Sequence, residues 1–262
     1  MKPDREGKNT MLRKILAIAA FALATISPSQ LAAQQTDLAP LQVAVIDTGI
    51  ARTEQLAPLM GPSWDMRASN RKGDKRIGSE HGTFVAGIIA DRVTRPIQIT
   101  SFRVDVRCRR HDPCQLDSGA VAAAIRTSIR MDMDLIQISI DGRLGDPAIE
   151  AMRQAAEAGI QIVMSSGNDG LRSETADAAS GLGPNVHVVG ALDRNGNRAD
   201  FTSYSRRDDV VLVMRQGVDV EVRDSNGRMT KVTGTSFAAP IYAAELLEAM
   251  PSRTTTELAS AR

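Results

Sequence analysis

The chain predicts an α/β fold: a mostly parallel sheet with helices on both faces, followed by a late β-hairpin. Short, nearly unbroken apolar runs alternate with segments whose apolar residues recur at helical spacing, the pattern of a covered parallel sheet. Near the end, an Asn226-Gly227 step separates two short extended runs, the signal of a tight hairpin. Residues 41–46 are apolar except for Gln42, end at Asp47 and are broken by Thr48-Gly49, which reads as a buried strand. From 81 to 92, Phe84, Val85, Ile88 and Ile89 fall at helical spacing, and 97–106 reads as the next strand. In 118–131, Val121, Ile125 and Ile129 recur every four residues and give a helix one buried face. A strand at 135–140 and a helix at 147–158 follow, the helix closed by Gly159 as a C-cap. Strands are expected at 160–164, 186–191 and 210–213, and the hairpin at 218–223 and 228–232. The hairpin delivers the chain into Gly234-Thr235-Ser236 and a final apolar helical run, 237–250.

The 262 residues suit one compact domain, 34–262, preceded by an N-terminal extension and signal peptide over 1–33. Arg13-Lys14 lead into an apolar stretch, 15–26, too short to span a bilayer, and Leu31-Ala32-Ala33 suits a signal peptidase. The expected location is secreted or periplasmic, with membrane attachment only through an uncleaved signal. A formal net charge of +1 argues against nucleic acid as a partner. Arg103, Arg107, Arg109 and Arg110 cluster without interleaved aromatics, as a solvated loop does. Cys108 and Cys114 are expected to pair in an oxidising compartment, closing a short loop worth roughly 2 kcal/mol. His111 between them makes a poor tetrahedral metal set with them, so no metal site is expected.

Four segments carry chemistry, in the order Val43-Ala-Val-Ile-Asp-Thr-Gly49, His81-Gly-Thr-Phe-Val-Ala-Gly87, Ser166-Gly-Asn-Asp169 and Gly234-Thr-Ser-Phe-Ala-Ala-Pro240. Asp47 stands at the end of a strand, where open α/β sheets place ligands, and equally suits a turn. His81 opens a helix whose dipole disfavours its cation unless a carboxylate compensates, and Asp47 is the candidate. Ser236 begins a helix, as an N-cap or as a nucleophile at an N-terminus that favours negative charge. Asn168 sits in a turn after a strand, with an amide free to donate. His111 and His187 lack such context and read as structural.

Each tripeptide is common alone, but the four together resemble the subtilisin-like serine peptidases, or subtilases, from about Leu41 to Met250. The order Asp, His, Ser is that of subtilisin and differs from those of α/β-hydrolases and chymotrypsin-like enzymes. The resemblance implies a subtilisin-like fold and an exported serine endopeptidase with Asp47, His81 and Ser236 as catalytic triad. Asn168 and the Ser236 N–H would form its oxyanion hole, supported by Thr235, and no cofactor is needed. It further implies that Ser139, Ile140, Asp141 and Gly142, with Ser165, Ser166 and Gly167, line the pocket for the residue before the scissile bond. Relatives have Ser-Leu-Gly and Ala-Ala-Gly-Asn there; the added carboxylate and hydroxyls suggest tolerance of polar or basic side chains.

Three departures from the family pattern are expected: no propeptide between the signal and the first strand, no metal-binding loop between Ile89 and Ile97, and no further helices after the serine helix. Such losses remove buried surface, so a partner chain or oligomer is expected to cover the truncated ends. The polypeptide substrate reading competes with a catalytically silent, peptide-binding scaffold of the same fold. A nucleotide-binding domain is excluded by the lack of a glycine-rich phosphate loop after the first strand.

Overall fold

A seven-stranded sheet organises the chain, with every pairing parallel and the strands ordered Met60–Asp65, Ile97–Arg103, Leu41–Asp47, Leu135–Ile138, Gln161–Ser165, Val186–Leu192 and Leu212–Gln216. The computed structural model describes residues 38–67, 79–109, 112–140 and 142–252, and Ala39–Ser252 form one compact unit. The strands are β1 (Leu41–Asp47), β2 (Met60–Asp65), β3 (Ile97–Arg103), β6 (Leu135–Ile138), β7 (Gln161–Ser165), β8 (Val186–Leu192) and β9 (Leu212–Gln216). Two antiparallel hairpins stand outside the sheet, β4 (Asp105–Arg109) with β5 (Asp112–Leu116) and β10 (Val220–Arg223) with β11 (Met229–Val232).

Alternate residues of each central strand face opposite helix layers, which is why those strands read as unbroken apolar runs. Ala44, Ile46, Ile136, Ile138, Ile162 and Met164 pack with α2 (Ser118–Arg130) and α3 (Asp146–Glu157). Val43, Val45, Leu135, Val163 and Val189 pack on the other face with α1 (Ser79–Arg92) and α5 (Thr235–Ala249). On α5 the contact residues Ala238, Ala239 and Ala243 are small and fully buried, so this helix lies close against the sheet. Leu247, also fully buried, contributes about 1.5–3 kcal/mol by burial alone. The helix α4 (Glu174–Asp177) is a single turn capped by Ser173, whose side chain accepts from the Ala176 N–H.

Helices on both faces, the parallel sheet and the late hairpin agree with the expectation. Gly159 closes α3 in a left-handed conformation, φ +84°. Several boundaries differ. The expected strand at 97–106 ends at Arg103, and the chain then forms the β4–β5 hairpin. The last strand of the sheet lies at Leu212–Gln216 rather than 210–213. The strand β2 was not expected; it is an edge strand, where the proline at 62 is tolerated, and its register shifts between Met60 and Ser63. No helix among the described residues is long and apolar enough to cross a membrane.

Candidate active site

The register sets Ile46 opposite Ile138 and Ile138 opposite Met164, so Asp47, Ser139 and Ser165 come level at the C-terminal edge of three adjacent strands. The helix leading into β3 covers one face and those leading into β6 and β7 cover the other, so the winding reverses at β1. Open α/β sheets bind ligands at such a reversal.

Asp47 is fully buried. Its Oδ1 accepts from the Thr48 N–H at 2.6 Å, while His81 Nδ1 lies 2.8 Å from Oδ1 and 3.1 Å from Oδ2. Main-chain contact brings acid and base together. A Cβ on Gly82 would lie 2.2 Å from the Gly49 carbonyl oxygen, so only glycine lets α1 approach the loop after β1 so closely. Two crossing bonds tie the same segments: Gly82 N–H to Thr48 Oγ1 at 3.2 Å, and Ala51 N–H to Thr83 Oγ1 at 2.8 Å. Burial disfavours the His81 cation, but the charge and hydrogen bond of Asp47 outweigh it, so the imidazole titrates above its ordinary value of about 6.5.

Ser236 is the second residue of α5, and the ring of its neighbour Phe237 lies 5.3 Å, centroid to centroid, from that of His81. The Ser236 hydroxyl does not donate to His81; it donates to the Ser139 carbonyl at 3.0 Å. Asn168 is oriented by Thr235. The Thr235 N–H can only donate, so it turns the Asn168 oxygen inward at 2.8 Å, and the Thr235 hydroxyl adds a second donation at 3.1 Å. The Asn168 NH₂ is left facing away, with no acceptor within bonding distance among the described residues.

Of the segments expected to line a pocket, Ser139 and Ser165 are buried, and the Ser166 hydroxyl is buried without a partner among the described residues. Ile140 packs into the core beneath α2 and α3. Gly142 accepts from Thr175 Oγ1 at 2.7 Å, and the Gly167 N–H donates to Thr235 Oγ1 at 3.2 Å. Asp141, His111 and the side chains of Cys108 and Cys114 lie outside the described residues. His187 sits at the opposite edge of the sheet with Nε2 2.8 Å from Gln161 Oε1, and burial pushes its pKa down. Sequence reasoning missed Gln137, whose amide donates to Ser139 Oγ at 2.8 Å. It also missed Thr48 as the link between acid loop and base helix. A polar residue at an inward position of an apolar strand was the available signal for Gln137.

The subtilase family (peptidase S8) model matches residues 40–261. The chain belongs to the subtilase family. This subtilase is 28% identical to subtilisin DY of Bacillus licheniformis over 228 residues, 84% of this chain and 80% of that protein. It is 30% identical to a thermostable alkaline protease of Halalkalibacterium halodurans over 208 residues, 76% of this chain but 54% of that protein. It is also 30% identical to subtilisin NAT of Bacillus subtilis subsp. natto over 209 residues, 76% of this chain and 52% of the relative. The subtilase thus spans about half the length of the last two. Among solved structures, a cold adapted subtilisin-like serine proteinase superposes with TM-score 0.64 at 21% identity, covering 84% of this chain and 80% of that one. The prenylagaramide maturation protease PagA superposes with the same TM-score at 19% identity, covering 89% and 82%. Both likenesses concern the fold of the subtilase, a parallel sheet between helix layers.

Proposed function

We propose that this subtilase is an exported serine endopeptidase that hydrolyses polypeptides through an acyl-enzyme. The observation that carries this reading is the buried Asp47 carboxylate on His81 Nδ1, which holds the proton there and leaves Nε2 as the basic nitrogen. In the proposed reaction the Ser236 hydroxyl leaves the Ser139 carbonyl and gives its proton to His81 Nε2 as Oγ attacks the scissile carbonyl. The oxyanion is received by the Asn168 NH₂ and the Ser236 N–H. His81 then protonates the leaving amine, and water repeats the sequence to release the acid and regenerate Ser236. We assign the pocket before the scissile bond to residues 139–142 and 165–167, with tolerance of polar or basic side chains as the role proposed for Asp141.

The resting bond from Ser236 to Ser139, rather than to His81, favours the second reading, a scaffold without turnover. One experiment separates the two. The mature protein is treated with a fluorophosphonate, digested without reductant and mapped by mass spectrometry. Adduct on Ser236 is the expected result; a folded, unlabelled protein supports the scaffold. The same digest reads the cysteines. Cys108 and Cys114 sit on the facing strands of the β4–β5 hairpin, which supports a disulfide and export, so a linked peptide is expected and free thiols contradict it.

Asn168→Ala is expected to lower kcat about 10²–10³-fold with little change in KM, because the donor acts on charge present only in the transition state. That range is the loss known for the corresponding donor of subtilisin. Steady-state kinetics on a chromogenic peptide checks it, and an unchanged kcat removes Asn168 from the oxyanion hole.

A further inference from the structure

The helix α5 carries a proline four residues after the candidate nucleophile. In a regular helix the N–H of residue 240 would donate to the carbonyl of residue 236, but Pro240 has none, and its ring crowds that carbonyl. Residues Thr235 to Pro240 are all buried, so the Ser236 carbonyl has no recourse to bulk water. Ser139 answers the need from the neighbouring strand end. Its hydroxyl donates to the Ser236 carbonyl oxygen at 2.9 Å.

A hydroxyl has one proton, and something must decide where it points. The Ser236 carbonyl can only accept, so Ser139 must donate to it. Gln137 must then present its NH₂ to Ser139 Oγ, at 2.8 Å, which occupies a lone pair and leaves the proton aimed at Ser236. Gln137 is wholly buried on β6 between Val45 and Val163, and its Oε1 has no partner among the described residues. An amide half satisfied in an apolar layer is costly to keep for packing alone. The Ser236 hydroxyl donates back to the Ser139 carbonyl, so the two residues are tied in both directions.

We propose that Gln137 and Ser139 are positioning residues that replace the helix hydrogen bond Pro240 removes, fixing the peptide that carries the Ser236 hydroxyl and N–H. The inference rests on the reading of Ser236 as nucleophile. It is a double-mutant question, because the role of Ser139 exists only while residue 240 lacks an N–H.

The test compares Ser139→Ala, Gln137→Met and their combination in the wild-type and Pro240→Ala backgrounds. Readouts are kcat and KM on a peptide, the saturating rate of serine phosphonylation by a fluorophosphonate, and melting temperature. Ser139→Ala is expected to lower kcat and phosphonylation roughly tenfold, with KM held within about twofold. Gln137→Met is expected to cost a part of that, and the pair no more than Ser139→Ala alone. With alanine at 240 the carbonyl regains a helical donor, and Ser139→Ala should then cost less than about twofold further. Equal penalties in both backgrounds, or penalties that multiply between 137 and 139, overturn the proposal and leave ordinary core residues. Should Ser139→Ala not fold, Gln137→Met against Pro240→Ala reads the same coupling. A wild type that does not label overturns the nucleophile reading and this inference with it; normal labelling with unaltered variants overturns this inference alone.

Discussion

Replacing Ser236 with alanine is expected to lower kcat by about 10⁶-fold, the size of the equivalent loss in subtilisin. Without Oγ no acyl-enzyme forms, and His81 has no hydroxyl to deprotonate. Water held near the Asn168 NH₂ leaves only the residual rate that oxyanion stabilisation and binding supply. The fold should be little affected, because the side chain makes one described hydrogen bond, to the Ser139 carbonyl, and is small. The check is peptide hydrolysis beside a melting curve. Hydrolysis retained in a folded Ser236→Ala protein would place the nucleophile elsewhere.

Asp47→Asn should lower kcat about 10⁴-fold, through the tautomer of its neighbour. The Thr48 N–H points at Oδ1 and can only donate, so an asparagine would keep its oxygen there and turn its NH₂ toward His81 Nδ1. That NH₂ donates, so Nδ1 must accept and the ring proton moves to Nε2, where it blocks removal of a proton from serine. The pH dependence should change as well. In the wild type His81 titrates above about 6.5, so kcat/KM rises with pH through a midpoint above that value. A folded pKa raised over the unfolded one stabilises the fold below about pH 6.5, and that contribution is lost as pH rises through the folded pKa. In Asp47→Asn burial acts unopposed: any residual activity should have its midpoint shifted downward, and protonation of His81 should oppose folding in acid. NMR titration of the imidazole and melting curves across pH 5–9 measure both; an unmoved midpoint would mean that Asp47 does not govern the base.

Asp47, His81, Asn168 and Ser236 were legible because each lies in a short local motif and each motif ends or begins an element whose periodicity is plain. The sheet and its helix layers were legible for the same reason. Gln137 was not, since its partner chain runs through Ser139 to a helix that begins about a hundred residues later, and no local pattern announces that meeting. Pro240 was half legible: its spacing from Ser236 identifies an unserved carbonyl, but not what serves it. The strand β2 escaped because edge pairing tolerates the Gly61-Pro62 step that a central strand would reject. The resting direction of the Ser236 hydroxyl depends on a choice between acceptors that only tertiary packing creates.

The approach of Gly82 to the Gly49 carbonyl means that main chain rests on main chain between acid and base. Their spacing is therefore not adjustable by small changes of side-chain bulk, as a packed interface would be. Mutational drift meets a step there instead of a slope: even one methyl group at 82 forces the helix and the loop apart, and no gradual retuning of the pair is open along that route.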